Sequence, residues 1–246
     1  MCFYSKLSQD ALAISKRYKA TYPSACSYVP KDIINGYSYP STPVVTDKAP
    51  LVIQDFNWGL IPDWGLVPDN SGGITDKYRN NDLSIRKYTL NARIETIRST
   101  KSFKNSISNR CLVIADGFYE WQHISEDVHF FAKDHLVTED HLFGTGRSSA
   151  RNGKIKKKKF LITLPDEEIF SFAGLYSSWT NPVTREIYNT YTLLTTQANE
   201  LMSEIHNANN RMPVILRPED ESRWLEHCDI EEFAYPYSVQ LRARAL

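Results

Sequence analysis

The sequence predicts an α+β fold, a single domain with a mainly antiparallel, curved and barrel-like β-sheet and a few short helices. Short segments rich in β-branched and aromatic residues recur between turn residues, as in β-rich proteins. Helical segments are few and scattered, without the regular strand-helix alternation that builds a parallel sheet. The 246 residues, 41% of them hydrophobic, suffice to bury one full core. We therefore expect one domain over residues 1–246.

The first predicted element is a helix capped by Ser8, in which Leu7, Ala11, Ile14 and Tyr18 recur at helical spacing. Residues 22–50, rich in Pro, Ser, Thr and Tyr, are expected to form an ordered loop. β-Branched and aromatic content then predicts strands at Leu51–Leu60, Arg110–Asp116, Lys157–Leu164, Phe172–Tyr176, Tyr188–Thr195 and Met212–Leu216. Capping residues and an initial proline predict further short helices at Ile94–Ser99, at Glu200–Ile205 after the cap Asn199, and at Glu219–His227 after Pro218.

Charge and cysteine content narrow the possible functions. The 29 basic and 29 acidic residues cancel, so an anionic partner must be bound by a local patch. The cysteines at positions 2, 26, 111 and 228 lack the paired spacings of zinc sites, so we expect no metal, no cofactor and no disulfide framework. The sequence has no secretory pattern and no run of ~18 to 20 apolar residues. A cytoplasmic protein without a membrane partner is the expectation.

Two segments are ambiguous. Residues 122–153 carry His123, His129, His135 and His141 at irregular intervals, which favours a long surface insertion over a metal site. A lysine-rich run, 154–159, follows directly. Such a run is equally typical of a solvated strand edge and of a DNA contact. At the other end of the chain, a short C-terminal tail is expected from about residue 229.

Cys2 directly follows the initiator Met1. Because the cysteine side chain is small, we expect Met1 to be removed, which leaves a free α-amine and a thiol on one carbon. An amine with a pKa near ~8 is partly unprotonated at neutral pH and can condense with an aldehyde to an imine. The neighbouring thiol can then close a five-membered thiazolidine ring. Cys2 is therefore a candidate covalent nucleophile.

Four further motifs accompany Cys2. They are Trp58–Trp64 (WGLIPDW), Asn91–Thr96 (NARIET), Asp116–Trp121 (DGFYEW), and His206 ahead of Arg211–Pro213 (RMP). With these motifs, in this order, the sequence resembles the SRAP family, the SOS-response-associated peptidases or abasic-site-processing proteins. The resemblance extends from Cys2 to about residue 224.

The resemblance implies that Cys2 captures the ring-opened aldehyde of an abasic site in single-stranded DNA as a stable thiazolidine crosslink, within the DNA damage response. By the same resemblance Glu120 lies beside the amine and moves protons, and His206 opens the sugar ring or shuttles protons. Asn91 would hydrogen-bond around the lesion. The implied partner is single-stranded DNA with abasic sites, and a monomer is expected.

The remaining candidates are DNA contacts. Arg93 and Arg211 fit phosphate binding, since guanidinium binds phosphate oxygens in bidentate fashion; an ion pair on the surface is the alternative. Trp121 and Trp64 fit base stacking, with core packing as the alternative. Pro40 is matched to a family loop that lines the same groove.

The sequence departs from the family at three places, one of which is residues 122–153, a longer stretch than the turn expected there. Many members begin Met-Cys-Gly-Arg, whereas this chain has Phe3 and Tyr4 after Cys2. Residues 207–210 separate His206 from Arg211, a longer spacing than in the family. His206 is therefore the firmer assignment of the two.

Two other functions compete with DNA crosslinking. The first is a cysteine peptidase with Cys2 as thiolate, His206 as base and Asn91 as orienting group. The second is a non-catalytic module that binds single-stranded DNA or protein, whose affinity would survive Cys2→Ala. Peptide cleavage, as opposed to covalent attachment to abasic DNA, distinguishes the enzymes.

Overall fold

The structure is a computed structural model that describes residues 2–63, 83–125, 155–166, 168–181 and 184–246. Its strands are β1 (Tyr4–Leu7), β2 (Lys31–Asn35), β3 (Ser41–Thr46), β4 (Ala49–Trp58), β5 (Asn91–Arg93), β6 (Arg110–Ala115), β7 (Gly117–Ser125), β8 (Ile155–Thr163), β9 (Phe170–Thr180), β10 (Ile187–Gln197), β11 (Arg211–Pro213), β12 (Ile215–Leu216) and β13 (Arg242–Ala245). The α-helices are α1 (Ala11–Tyr18), α2 (Glu200–Ile205) and α3 (Glu221–Leu225). Single 3-10 turns lie at Gly36–Ser38, Ile94–Thr96, Lys104–Ser106, Pro218–Asp220 and Ile230–Phe233, with a longer 3-10 helix at Leu83–Tyr88.

Five strands close into a barrel. β3 pairs with β4 and with β6, β6 pairs with β9, β9 pairs with β10, and β10 returns to β4. The pairing of β10 with β4 is parallel and the other four are antiparallel. Closure pairs each strand on both sides, which protects backbone groups that an open edge would expose. The predicted fold class, a mainly antiparallel barrel-like sheet with short helices, is confirmed.

A second, antiparallel sheet has the strand order β13-β8-β7-β1-β2 and packs on the barrel. Phe118 of β7 meets Phe172 of β9 edge to face, with ring centroids 5.8 Å apart. Both rings are fully buried, and such aromatic pairs add about 0.5 to 1.5 kcal/mol beyond the burial of their area. We call this second sheet the flanking sheet. Of its three inner strands, β1 directly follows Cys2 and β7 carries Glu120.

The first helix begins later than predicted. Its cap is Asp10, whose side chain accepts a hydrogen bond of 2.8 Å from the Ala13 N–H. The predicted cap Ser8 instead donates its N–H and hydroxyl to Asp116, at 2.7 and 2.8 Å. Leu7 belongs to β1. The predicted cap Asn199 of α2 is confirmed by a bond of 2.9 Å from the Met202 N–H.

The predicted loop at 22–50 was wrong, since β2 and β3 lie within it. Residues 42–46 of β3 are all buried, because the strand is central in the closed barrel. Burial on both faces removes the alternation of polar and apolar residues that marks a strand, and Pro43 adds a residue typical of turns.

Smaller boundary errors affect other elements. The predicted helix Ile94–Ser99 contains a 3-10 turn at Ile94–Thr96. The predicted strand Met212–Leu216 divides into β11 and β12 at Val214, whose N–H bonds to Leu194 and whose carbonyl bonds to Ala173. The strands β9 and β10 extend beyond their predicted ends.

Residues 122–125 of the predicted insertion continue β7, and 126–154 lie outside the described residues. In the segment predicted as a tail, Ile230 and Phe233 are fully buried and β13 pairs with β8. Among the described helices, none combines the length and the apolar run that a bilayer crossing requires.

Candidate active site

Hydrogen bonds from two other segments fix the backbone at Cys2. The side-chain Nδ2 of Asn91 donates to the Cys2 carbonyl at 2.8 Å, and the N–H of Gly36 donates to the Phe3 carbonyl at 2.8 Å. A Cβ added to Gly36 would lie 3.2 Å from both the Phe3 carbonyl and the Trp58 ring, so glycine permits this close approach. β1 follows at once and holds the chain between β2 and β7.

The Cys2 thiol is completely buried. Its S–H donates to the Tyr4 carbonyl, with sulfur and oxygen 3.6 Å apart. Burial raises the pKa of the thiol, and the negative charge of Glu120 raises it further. The group is therefore a neutral thiol at physiological pH.

Glu120 is a buried carboxyl group on β7, 4% exposed. Burial raises its pKa from 4.5 to about 7, because the charged form loses hydration. Both protonation states are therefore populated near neutrality, and the group can accept or donate a proton there.

His206 follows the last residue of α2. Its Nδ1 lies 2.7 Å from the Arg211 carbonyl oxygen, so Nδ1 is the donor, and in the neutral ring Nε2 carries a lone pair. Nε2 lies 3.9 Å from Oε2 of Glu120. Burial lowers the pKa of His206, so the imidazole is neutral at physiological pH. A neutral imidazole and a carboxyl group that titrates near 7 thus face each other.

Asn91 is a buried residue of β5. Parallel pairing with β10 places it opposite Leu193. Its Nδ2 is occupied by Cys2, whereas its buried Oδ1 has no hydrogen-bond partner among the described residues. An unsatisfied buried acceptor costs about 1 to 3 kcal/mol.

A cavity of about 420 Å³ opens over Glu120 and His206. Two aromatic pairs lie at this end of the sheet, Tyr4 with Trp121 at 5.1 Å between ring centroids and Phe3 with Tyr37 at 4.9 Å. Phe3 and Tyr4, the two residues after Cys2, thus contribute aromatic surface to the cavity. The lining residues are Phe3, Tyr4, Glu120, Trp121, His123, Lys157, His206, Ala208 and Asn209.

The predicted DNA contacts are dispersed. Trp121 is half-buried and lines the cavity, whereas Arg93 is exposed at the end of β5. Arg211 forms two bonds of 2.8 Å to the carboxylate of Glu95, which lowers the pKa of that carboxyl below its usual value against the effect of burial. Pro40 accepts a backbone bond from Trp58 and does not line the cavity. Trp64 lies outside the described residues.

Several cavity residues were not predicted from the sequence. The side chain of Asn207 accepts from the His123 N–H at 3.0 Å and donates to the His123 carbonyl at 2.8 Å. This pair of hydrogen bonds to the β7 backbone presents Ala208 and Asn209 to the cavity. Asn209 Nδ2 lies 3.5 Å from Nε2 of His206. The asparagine-rich spacer at 207–210 was the available signal. Across the described ranges, no group of three or more His, Cys, Asp or Glu residues is placed to hold a metal ion.

A family model described as SOS response associated peptidase (SRAP) matches residues 1–243. Among curated relatives, the abasic site processing protein YoqW of Bacillus subtilis is 31% identical over 183 residues, covering 74% of this chain and 61% of YoqW. The abasic site processing protein HMCES of Pongo abelii is 30% identical over 188 residues, covering 73% of this chain and 47% of HMCES. The aligned part of this chain thus spans less than two thirds of either relative.

Solved structures share the fold. A protein from Bacteroides thetaiotaomicron, 28% identical, superposes with a TM-score of 0.76, and the match covers 100% of this chain and 92% of that one. A second protein, from Bordetella bronchiseptica, is 23% identical with a TM-score of 0.68 and covers 100% and 99% of the two chains.

Proposed function

The chain belongs to the SRAP family, and on that premise we propose that it processes abasic sites in single-stranded DNA by covalent crosslinking through Cys2 after Met1 is removed. The observation that carries the proposal is the set of buried polar groups at Cys2: Asn91 binds its carbonyl and the charge of Glu120 acts on its thiol. Glu120 in turn faces His206 in the lining of an aromatic-walled cavity. The names of the curated relatives supply the substrate, an abasic site.

Once the sugar ring has opened, the Cys2 amine attacks the aldehyde carbon. Glu120 as carboxylate accepts a proton from nitrogen, and Glu120 as acid returns one to the oxygen that leaves as water. The product is an imine. The thiol then adds across the C=N bond, so that sulfur bonds to carbon and the thiol proton is transferred to nitrogen. One water is released overall.

His206 assists the earlier step, in which the closed sugar opens to the aldehyde. Its unprotonated Nε2 can accept the proton of the sugar hydroxyl as the ring C–O bond breaks and then return that proton to the ring oxygen, which becomes a hydroxyl group. The unsatisfied Oδ1 of Asn91 would accept a hydrogen bond from a sugar hydroxyl. The three side chains thus divide ring opening, proton transfer and orientation between them.

The same geometry counts against the peptidase hypothesis. A cysteine peptidase attacks as thiolate, which requires a thiol pKa lowered by a positive neighbour. Here burial and the negative charge of Glu120 raise the pKa of the Cys2 thiol more than the positive amino terminus lowers it, and burial keeps His206 neutral. An amine-first reaction needs no thiolate, because the thiol acts only after the imine has formed.

The test is a denaturing gel after the processed protein is mixed with single-stranded DNA carrying one abasic site. We expect a heat-stable adduct from the parental protein and none from Cys2→Ala. Cys2→Ser retains the amine but lacks sulfur, so its adduct should appear only after borohydride reduction. Cys26→Ala removes an exposed cysteine and is the matched control. A full yield from Cys2→Ala would overturn the proposal, and release of a peptide product without an adduct would favour the peptidase.

A further inference from the structure

We infer that the DNA strand on one side of the lesion leaves the cavity across the face of the flanking sheet that carries Trp121, bound by Lys157, Lys159 and Arg244. This inference rests on the proposed function and adds the path of its substrate. The occupant is a single-stranded polynucleotide. Strand register, cation positions and continuity with the cavity support it.

The strand register places the three cations on one face. Lys157 lies directly opposite His123, and Lys159 directly opposite Trp121, in the antiparallel pair β7–β8. Arg244 of β13 lies opposite Leu161 of β8. Directly opposite residues of antiparallel strands project to the same side, and so do residues two apart along a strand. Lys157, Lys159 and Arg244 therefore share the face of Trp121.

Contacts with aromatic rings support the same assignment. The Lys159 Nζ lies 4.2 Å from the Tyr119 ring centroid and 5.9 Å from that of Trp121. Tyr119 and Arg244 both lie opposite Leu161, one on each side of β8, and the positive charge of Arg244 opposes the rise in the pKa of Tyr119 that burial causes. Cations interleaved with aromatic rings are typical of surfaces that bind single strands without sequence preference.

The face is continuous with the cavity, and its cations reach the surface: Lys157 and Arg244 are exposed and Lys159 is half-buried, whereas Tyr119 and Leu161 between them are buried. Lys157 and Trp121 line the cavity itself. From Lys157 to Leu161, the partner of Arg244, the distance along β8 is about 13 Å at ~3.3 Å per residue. The flank of the bound strand would therefore start at the lesion and cross β8 toward β13.

Two carboxylates also act on Tyr119, those of Asp32 and Asp116. Asp116 forms an ion pair of 3.0 Å with Lys6. Asp32 belongs to β2, at the opposite edge of the flanking sheet from Arg244. A polyanion is therefore expected to follow β8 and β13 and to avoid β2.

The lysine run provides its own control. Lys156 lies opposite Ile124 and Lys158 opposite Gln122, so both project to the other side of β8. All four lysines 156–159 carry the same charge within four consecutive positions. Replacing Lys158 removes one charge from the same strand without touching the proposed path.

The experiment compares Lys157→Gln, Arg244→Gln and the Lys159→Gln/Arg244→Gln pair with the control Lys158→Gln. Two abasic single strands of equal length carry the lesion near the 5′ end or near the 3′ end, so that the long flank lies on opposite sides. Crosslinking is measured at limiting DNA. Binding to an unmodified oligothymidylate is measured across a range of salt concentrations by fluorescence anisotropy.

We expect Lys157→Gln, Arg244→Gln and the paired variant, which alter the proposed path, to reduce crosslinking of only one of the two strands. The paired variant should also flatten the slope of log affinity against log salt by about 1.4, since each lost phosphate contact contributes about 0.7. Lys158→Gln should change neither. The inference is overturned if the variants reduce both strands equally or neither, if Lys158→Gln matches them, or if the parental protein binds polyglutamate as tightly as oligothymidylate. Should the parental protein crosslink neither strand, the proposed function fails, and the salt slopes still decide the binding surface.

Discussion

At Glu120, burial converts an ordinary carboxyl group into one that titrates near neutral pH. The folded pKa of about 7 lies above the ordinary value of 4.5, so the native state retains a proton that the unfolded state loses between these values. Stability is therefore greatest below pH 4.5, as far as this group is concerned, and falls as pH rises through 7. The site is maintained at a cost to folding.

Glu120→Gln removes this titration, because the amide stays neutral. The free energy of unfolding of the variant, minus that of the parental protein, should therefore rise by about 3 kcal/mol from pH 5 to pH 8, since one pKa unit corresponds to about 1.4 kcal/mol. Urea unfolding at the two pH values measures the difference. If the difference in the free energy of unfolding between the two proteins is the same at pH 5 and pH 8, Glu120 does not titrate near 7.

The residues of the site illustrate what sequence alone supplies. The sequence motifs predicted Cys2, Asn91, Glu120 and His206 as site residues. In the structure Asn91 contacts Cys2 and His206 faces Glu120. Their catalytic roles remain proposals. The ion pair of Arg211 with Glu95 joins residues 116 positions apart, and no local pattern marks such a contact.

At the scale of elements, the spacer at 207–210 forms one wall of the cavity. Two hydrogen bonds between the Asn207 side chain and the His123 backbone attach the spacer to β7. Three asparagines and one alanine carry no hydrophobic periodicity, so the sequence pattern gave no indication of this wall. The same limitation hid β3, whose burial on both faces erased the alternation of a typical strand.

Asn207→Ala should loosen this wall. We expect the DNA concentration that gives half-maximal crosslinking to rise several-fold while the maximal rate stays within about twofold, because Glu120 and His206 keep their own contacts. Each exposed hydrogen bond adds only about 0.5 to 1.5 kcal/mol to stability, so the fold should persist. Asn105→Ala, which removes an exposed bond to Asp63, is the control. An unchanged half-maximal concentration would show that the attachment does not shape the cavity.

For the molecule as a whole, zero net charge means that DNA affinity must come from local cations and from stacking. The two contributions separate by salt dependence. Arg93→Ala should weaken binding and flatten the slope of log affinity against log salt by about 0.7. Trp121→Ala should cost roughly 1 to 3 kcal/mol of binding with little change in slope. If Trp121→Ala leaves binding intact and lowers the melting temperature, Trp121 serves the core and not the DNA.

The composition of the whole chain predicted the fold class better than it predicted where individual strands and helices begin and end. The many β-branched and aromatic segments predicted a mainly antiparallel sheet, which the barrel and the flanking sheet confirm. Closure of the barrel joins β4 to β10 across more than 100 residues, and pairing at such separation depends on tertiary packing and not on local propensity.

The central claim is that the Cys2 amine and thiol together capture an abasic-site aldehyde. Intact-mass measurement of the adduct tests it most directly, followed by fragmentation of its N-terminal peptide. The predicted mass is that of the protein without Met1 plus that of the DNA strand, less one water, with the modification on Cys2 and no free thiol there. An adduct in which Met1 is retained, or in which the DNA is attached to any other residue, would contradict the claim.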